Sequence, residues 1–440
     1  MRKAVCLLLA GLLLLTGCTQ LQNGTKPTPE VVVKKDYSGY AGIVADTKTW
    51  YEEFTNLPIA NENMTQQELR KLCVDAFRLN MTMPWTPNQD IKYTYTLLKK
   101  SYEVLMPKDI AYSGLCYATG ITNATYGNAW KMLPFWDLET GTLDIEAMGK
   151  DNVLNIISSA CSYGAMQGWN RVCNSHGIKE MDSYSMYISN ILPVGPYQYE
   201  PYTYNHNFKS REASDQIIAA NGEQTMFESY ACVLPADGVF SSSAYHVMMI
   251  SQNPVVVRQA DGSIDPEESY VHVHEQKGEG TRTENLNYPQ ENGVDMRPLG
   301  TIDRKYTFRQ LLEKGYIPFT MKEFLGQDPV EPGKAWLGTQ NSALENGADQ
   351  DAGYVFSQSL YANYNVCSVT VEVKAPDGTV LVSYTPHIAT NPKLFHCALT
   401  GALNKDRVTP YADGQNTLHI YARLSTGELV EAFQTVLKLK

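Results

Sequence analysis

The chain has little positive charge to spare. Lys+Arg 36 against Asp+Glu 47 leave a net −11 at pH 7 over 440 residues, and no basic stripe interrupts that balance. A general nucleic-acid or anionic-membrane surface is therefore excluded. Beyond Leu15 there is no run of the ~18–20 apolar residues that a membrane-spanning helix needs. The cysteines are irregularly spaced and do not form a disulfide framework. Metal ligands are sparse as well. His272-x-His274 is the one close histidine pair, and adjacent strand histidines are more often solvated or packed than zinc-bound, so no metal or cofactor is expected. With 43% hydrophobic and 19% charged residues the chain is ordinary globular material, slightly poor in charge and long enough for two or three domains.

What is abundant is tyrosine, at 28 residues. Tyrosine joins stacking area to a hydrogen-bonding tip, which suits exposed carbohydrate or peptide sites. At the N-terminus Arg2 and Lys3 precede an apolar run from Ala4 to Leu15, which ends in Leu15-Thr16-Gly17-Cys18. This pattern resembles a bacterial lipoprotein signal. It implies removal of residues 1–17, a lipid on the Cys18 thiol, and an exported protein anchored to the outer face of a bacterial membrane. Residues 18–36, polar and proline-containing, read as a tether. Cys6 then leaves with the signal, and Cys73, Cys116, Cys161, Cys173, Cys232, Cys367 and Cys397 remain. That odd set leaves at least one thiol unpaired within the chain.

From Thr47 the sequence reads as helix on Trp50, Tyr51 and Phe54. Thr65-Gln66-Gln67-Glu68 is a helix-start signal for a stripe of Leu69, Leu72, Cys73, Phe77 and Leu79, which Pro84 stops. Ile91 to Tyr95 alternates as a strand, and residues 112–120 and 137–149 read as loops. The stretch from Asn155 to Val172 organises the rest. Ala165, Trp169 and Val172 recur at i, i+4 and i+7, one buried helical face, and Ser158 and Ser159 are good N-cap residues. Cys161 then falls in the first turn, where unpaired N–H groups and the helix dipole favour a thiolate. The plain alternative is a small buried hydrophobe.

Residues 174–230, with tyrosines set among Pro196 and Pro201, read as an irregular Tyr-rich insertion. A β region follows. Tyr245 to Ser251 is a strand, Val255 to Arg258 continues it, Ala260-Asp261-Gly262-Ser263 turns, and Ser269 to Gln276 returns with His272, His274 and Gln276 on one face. Residues 277–304 read as a polar loop, 306–314 as a short helix and 315–319 as a strand. Short strands without a long helical pattern over residues 350–440 read as an Ig-like β-sandwich, whose His387, His396 and His419 are scattered and structural.

A cysteine nucleophile needs a base within hydrogen-bond reach, and the base needs a polar group to fix its tautomer. His246 opens a strand, and the returning strand can set a polar residue beside its imidazole. Folding the hairpin about Asp261 pairs His246 with Gln276, and a bulge would shift that answer. The order helix Cys, strand His, strand polar, taken with the local words, resembles the NlpC/P60 branch of papain-like cysteine peptidases. Gly114-Leu115-Cys116-Tyr117-Ala118-Thr119-Gly120 is similar to the family's Gly-x-Pro-Tyr-x-Trp-Gly. Ala160-Cys161-Ser162-Tyr163-Gly164-Ala165 resembles Asp-Cys-Ser-Gly-Phe/Leu-Val. Pro235-Ala236-Asp237-Gly238-Val239 and His246-Val247-Met248-Met249-Ile250 resemble Pro-Gly-Asp-Leu-Val and His-Val-Gly-Ile-Tyr.

The resemblance implies an α+β fold: a papain-like catalytic domain over 37–340, with a helix packed on an antiparallel sheet, followed by the sandwich as spacer or wall-binding module. It implies Cys161 as nucleophile, His246 as general base and Tyr117 beside the thiolate. His274 is the alternative to Gln276 as third member, because the family usually has histidine there. Ser162, Tyr197 and Tyr199 are the candidate substrate contacts. The implied activity is amide-bond cleavage in peptidoglycan or other peptides, and its rival is a lipoprotein that holds a wall fragment or solute in the same cleft without catalysis. Ala160 departs from the pattern, since many members carry there an Asp that helps hold a free amino terminus.

Overall fold

The structure, a computed structural model, describes residues 46–97, 100–108, 110–118, 127–173, 191–198, 213–278, 297–327, 329–386, 396–399 and 404–439. The expected signal peptide, Cys18, the tether and Tyr199 lie outside these residues.

Two helices open the described chain. In α1, Thr47–Thr55, Asp46 caps the N-terminus by accepting from the Lys48 and Thr49 N–H groups. Trp50 and Phe54, one turn apart, stack with ring centroids 4.9 Å apart, and Trp50 Nε1 donates to Leu79 O at 3.0 Å. The helix-start signal at Thr65 is a full capping box with Glu68, and it launches α2, Gln66–Thr82. Leu69, Leu72, Cys73, Ala76, Phe77 and Leu79 bury its apolar face. Pro84, which ends α2, also begins a short strand, Pro84–Pro87.

The Cys161 helix, α3, covers Cys161–Trp169 and packs across α2. Glycine makes that approach possible, because a Cβ at Gly168 would stand 2.4 Å from the Cys73 carbonyl oxygen. The N-cap differs from the sequence reading: it is Ala160, which offers no side-chain cap. Ser158 and Ser159 form a short strand paired in parallel with Cys116 and Tyr117. Their backbone groups serve a ladder that ties the tyrosine loop to the start of α3.

The Tyr-rich stretch also differs where it is described. Ile191–Pro193 is a strand, β1, and two regular helices follow, α4 at Ala213–Asn221 and α5 at Glu223–Ala231. Gly222, at φ +80°, makes the break between them. Next come β2, Gly238–Ser241, β3, His246–Ile250, and β4, Tyr270–Glu275. The expected loop at 277–304 ends in a strand, β5, Thr301–Thr307. Only Ile302 and Tyr306 are buried large apolar residues in β5, so its sequence reads as polar although its backbone is paired. A short helix, α6, Phe308–Glu313, precedes β6, Ile317–Met321. These strands form a six-stranded antiparallel sheet in the order β5-β4-β3-β2-β6-β1. The expected continuation at Val255 to Arg258 is reduced to isolated bridges, with Val255, Val256 and Val257 exposed.

The C-terminal region has two four-stranded antiparallel sheets around a second apolar cluster that includes Leu337, Phe356, Leu360, Val371, Ile420 and Phe433. Two short helices, Ala352–Phe356 and Lys405–Val408, interrupt the strand pattern. His419 bonds Thr417 and Glu431 within its own sheet. The described residues belong to one compact unit. Arg171, just beyond α3, helps join its parts: its Nη1 donates to Thr426 O at 2.7 Å, and its guanidinium lies over Phe54 and Trp130. The protein is thus a mixed α+β molecule, and among the described residues no helix is long and apolar enough to cross a membrane.

Candidate active site

The pairing of Ser158–Ser159 with Cys116–Tyr117 sets Cys161 at the first position of α3, facing the tyrosine loop. On the other side the chain enters β3 through Tyr245, a non-glycine residue at φ +59°. A conformation that L-residues rarely adopt is held only where surrounding contacts enforce it. Here it turns the Tyr245 carbonyl to within 3.8 Å of Cys161 Sγ. The Val247 and Ser162 N–H groups both point at the sulfur.

His246 lies beside Cys161, near enough for each to shift the other's pKa. Its Nε2 lies 2.9 Å from Glu275 Oε2, which leaves Nδ1 for the thiol. Burial opposes charge on both partners, yet their contacts outweigh it. For Cys161, burial raises the pKa, while the His246 bond and charge and the two backbone N–H groups bring it below the ordinary thiol value. For His246, burial lowers the pKa, while the bonds to Cys161 and Glu275 lift it to about 9. Each partner thus shifts the other toward the charged form, thiolate for Cys161 and imidazolium for His246. By contrast, burial pushes the Cys73 thiol well up, Cys116 to about 12 and Cys367 to about 11.

Glu275 is fully buried and heavily bonded. Oε1 accepts from Arg304 Nη1 at 3.1 Å and the Tyr306 hydroxyl at 3.2 Å, with Lys277 Nζ at 3.4 Å. Burial alone would raise its pKa, but His246, Lys277 and Arg304 hold it at about 2.

The hairpin register explains why the third position is Glu275 and not Gln276 or His274. Near the tip, Arg258 opposes Ile264, which is the pairing a turn centred on Asp261 gives. The ladder between β3 and β4 pairs Met249 with His274 and Ile250 with Val273, one residue out of that frame. A one-residue slip moves every side chain of the strand to the other face. Gln276 is thereby carried away from His246; its Nε2 donates to Leu115 O at 2.6 Å and its Cβ packs under Gly164. His274 shares that face. Its Nδ1 accepts from the Asp303 N–H at 3.1 Å, and its ring stands edge-on to Phe77. Burial holds its pKa down at about 4, so it is neutral.

Tyr117 is buried beside Cys161, edge-on to Tyr95 at 5.6 Å. Burial, followed by the nearby thiolate, raises its pKa. Ser162 is buried in the first turn of α3 and contributes its N–H to the sulfur. Tyr197 does not offer a ring to a substrate, because it is 3% exposed and its hydroxyl donates to Pro318 O at 2.6 Å. Among the described residues no group of three or more His, Cys, Asp or Glu side chains is arranged to hold a metal ion.

The turn that launches β2 is locked from beneath. Arg70 Nη1 bonds Asp237 Oδ1 at 2.7 Å and Pro235 O at 2.8 Å. Trp169 Nε1 at the far end of α3 donates to Ala236 O at 2.7 Å. One helix thus carries the thiol at its start and grips the β2 turn at its end. Compared with known proteins, the chain matches no family model, no curated protein and no solved structure.

Proposed function

We propose that the protein is an exported, lipid-anchored cysteine hydrolase that cuts amide bonds in cell-wall peptides, with α3 on the six-stranded sheet as an NlpC/P60-type papain-like core. One observation carries the reading: a cysteine at a helix N-terminus stands beside an imidazole whose Nε2 is held by a buried carboxylate. In this mechanism the Cys161 thiolate adds to the amide carbonyl carbon. The Cys161 N–H and the Tyr117 hydroxyl steady the oxyanion. The His246 imidazolium gives its proton to the leaving amine as the C–N bond breaks. A water, deprotonated by His246, then releases the acid from the thioester and regenerates the thiol. The peptidoglycan substrate and the anchor at Cys18 rest on the sequence resemblances. The test is to incubate the protein with purified peptidoglycan and with synthetic stem peptides and to follow new primary amines. Cys161-dependent release is the expected result, and no release from any of them counts against the reading.

A second reading, a lipoprotein that holds a wall fragment without cutting it, is favoured by the burial of Cys161, which is 4% exposed. It predicts saturable muropeptide binding that survives Cys161→Ala, with no product from the parent protein. Cleaved peptide would end it.

A further inference from the structure

The two oxygens of Glu275 have different tasks. Oε2 faces His246 Nε2 at 2.9 Å and the Tyr306 hydroxyl at 3.3 Å. Oε1 is turned away, toward Arg304 Nη1, the same Tyr306 hydroxyl and Lys277 Nζ. Three of these residues come from β4 and β5 side by side: Val273 pairs with Arg304 and Val271 with Tyr306, so Arg304 and Tyr306 stand on the face that carries Glu275. A carboxylate held at one oxygen by Arg304 and met at both by the Tyr306 hydroxyl cannot rotate freely about its last torsion, so Oε2 stays aimed at the imidazole.

We propose that Arg304 and Tyr306 are positioning residues of the Cys161 site. They fix Glu275 so that Oε2 meets His246, and the Arg304 charge, by drawing on the same carboxylate, limits how tightly His246 keeps its proton. This inference rests on the cysteine-hydrolase reading and deepens it. In that mechanism His246 must hold a proton while the thiolate attacks and then surrender it to the leaving amine. A lone buried carboxylate would favour the first step at the expense of the second. Arg304 balances them.

The charged and titratable groups that face the His246–Glu275 pair are Cys161 from α3, Lys277 beyond β4, Arg304 and Tyr306 from β5, Tyr316 before β6, and Tyr117 in the loop beside Cys161. Of these, Arg304 and Lys277 are cations against Glu275, and Tyr306 is the neutral donor that touches both of its oxygens. Removing Arg304 exposes His246 to more of the carboxylate's charge. The predicted shift is therefore upward, opposite to what a loosened His246–Glu275 contact would give.

The experiment is an NMR titration of the His246 ring nitrogens in the full chain, run beside iodoacetamide alkylation of Cys161. Arg304→Gln is expected to raise the His246 pKa by about half a pH unit or more. Tyr306→Phe should raise it less, Arg304→Lys should restore the parent value, and Glu275→Gln should lower it. An unchanged or lowered pKa in both Arg304→Gln and Tyr306→Phe, with Cys161 still reactive in the parent, overturns this inference and leaves the hydrolase reading standing. A parent Cys161 that resists alkylation overturns both. Should Arg304→Gln fail to fold, Tyr306→Phe decides the outcome alone, since it keeps the ring and removes only the hydroxyl.

Discussion

His246 and Glu275 meet across a diagonal of the sheet, with Nε2 and Oε2 2.9 Å apart. The register that sets Met249 against His274 and Ile250 against Val273 carries His246 toward position 277, and the longer glutamate side chain reaches back two residues to the imidazole. Aspartate at 275 would fall short of this span by one methylene. The geometry makes glutamate specific at this position.

Glu275→Gln is therefore expected to cut turnover by roughly 100-fold, because an amide cannot stabilise the imidazolium and leaves Arg304 and Lys277 without their shared anion. Steady-state kinetics on a peptide that the proposed activity test shows to be cleaved check this. Activity within twofold of the parent would show that the carboxylate is dispensable.

The pH dependence has a defined sign at each limb. Alkylation of Cys161 should set in below the ordinary thiol value of 9.0, since His246 lowers its pKa. Turnover should fall as pH rises through about 9, where His246 loses the proton it must donate. Stability follows the same group. The folded His246 pKa lies above its ordinary 6.5, so its contribution is complete below about 6.5 and is lost as pH rises through about 9. Glu275, held at about 2, acts in the other direction: its contribution is present above 4.5 and is lost as pH falls through about 2. Urea unfolding at a series of pH values reads both limbs.

Gly168→Ala should weaken the α2–α3 packing by about 1–3 kcal/mol, because the new methyl meets the Cys73 carbonyl at 2.4 Å and backbone must shift. Gly347→Ala serves as the control for a backbone cost alone, since a Cβ there meets nothing within 4 Å and only its φ of +80° opposes it. Equal midpoints in urea for the two variants would contradict the close-approach argument.

Arg70→Met leaves Asp237 buried without its cation and should cost about 3–5 kcal/mol. The exposed Lys71–Asp75 pair, one helical position away, should cost no more than about 1 kcal/mol on Lys71→Ala. The contrast within one helix tests whether the Arg70 bond to the Pro235–Asp237 turn supports the fold.

Much of the framework is legible in the sequence because its signals are local. The Thr65–Glu68 capping box, the Pro84 stop and the apolar run that follows His246 each need only a few neighbouring residues, and each appears in the structure where the sequence places it. The position of Cys161 in a first helical turn is likewise local. What was hidden depends on pairing between distant segments. Ser158 and Ser159 have the chemistry of caps, but Cys116 and Tyr117 claim their backbone for a ladder. The polar strand Thr301–Thr307 is drawn into the sheet by Tyr270–Glu275. Glu275 itself was one residue from the predicted Gln276, and a slip between the hairpin tip and its stem decided between them. Turn chemistry fixes the tip and cannot see that slip.

The most direct measurement is the rate at which iodoacetamide labels each cysteine near neutral pH, read by peptide mass spectrometry in the parent and in His246→Ala. Cys161 should be labelled faster than Cys73 or Cys173, and His246→Ala should slow it by about tenfold or more. Labelling of Cys161 no faster than that of those buried thiols, or unaffected by the loss of His246, would contradict the thiolate–imidazolium site at the centre of this account.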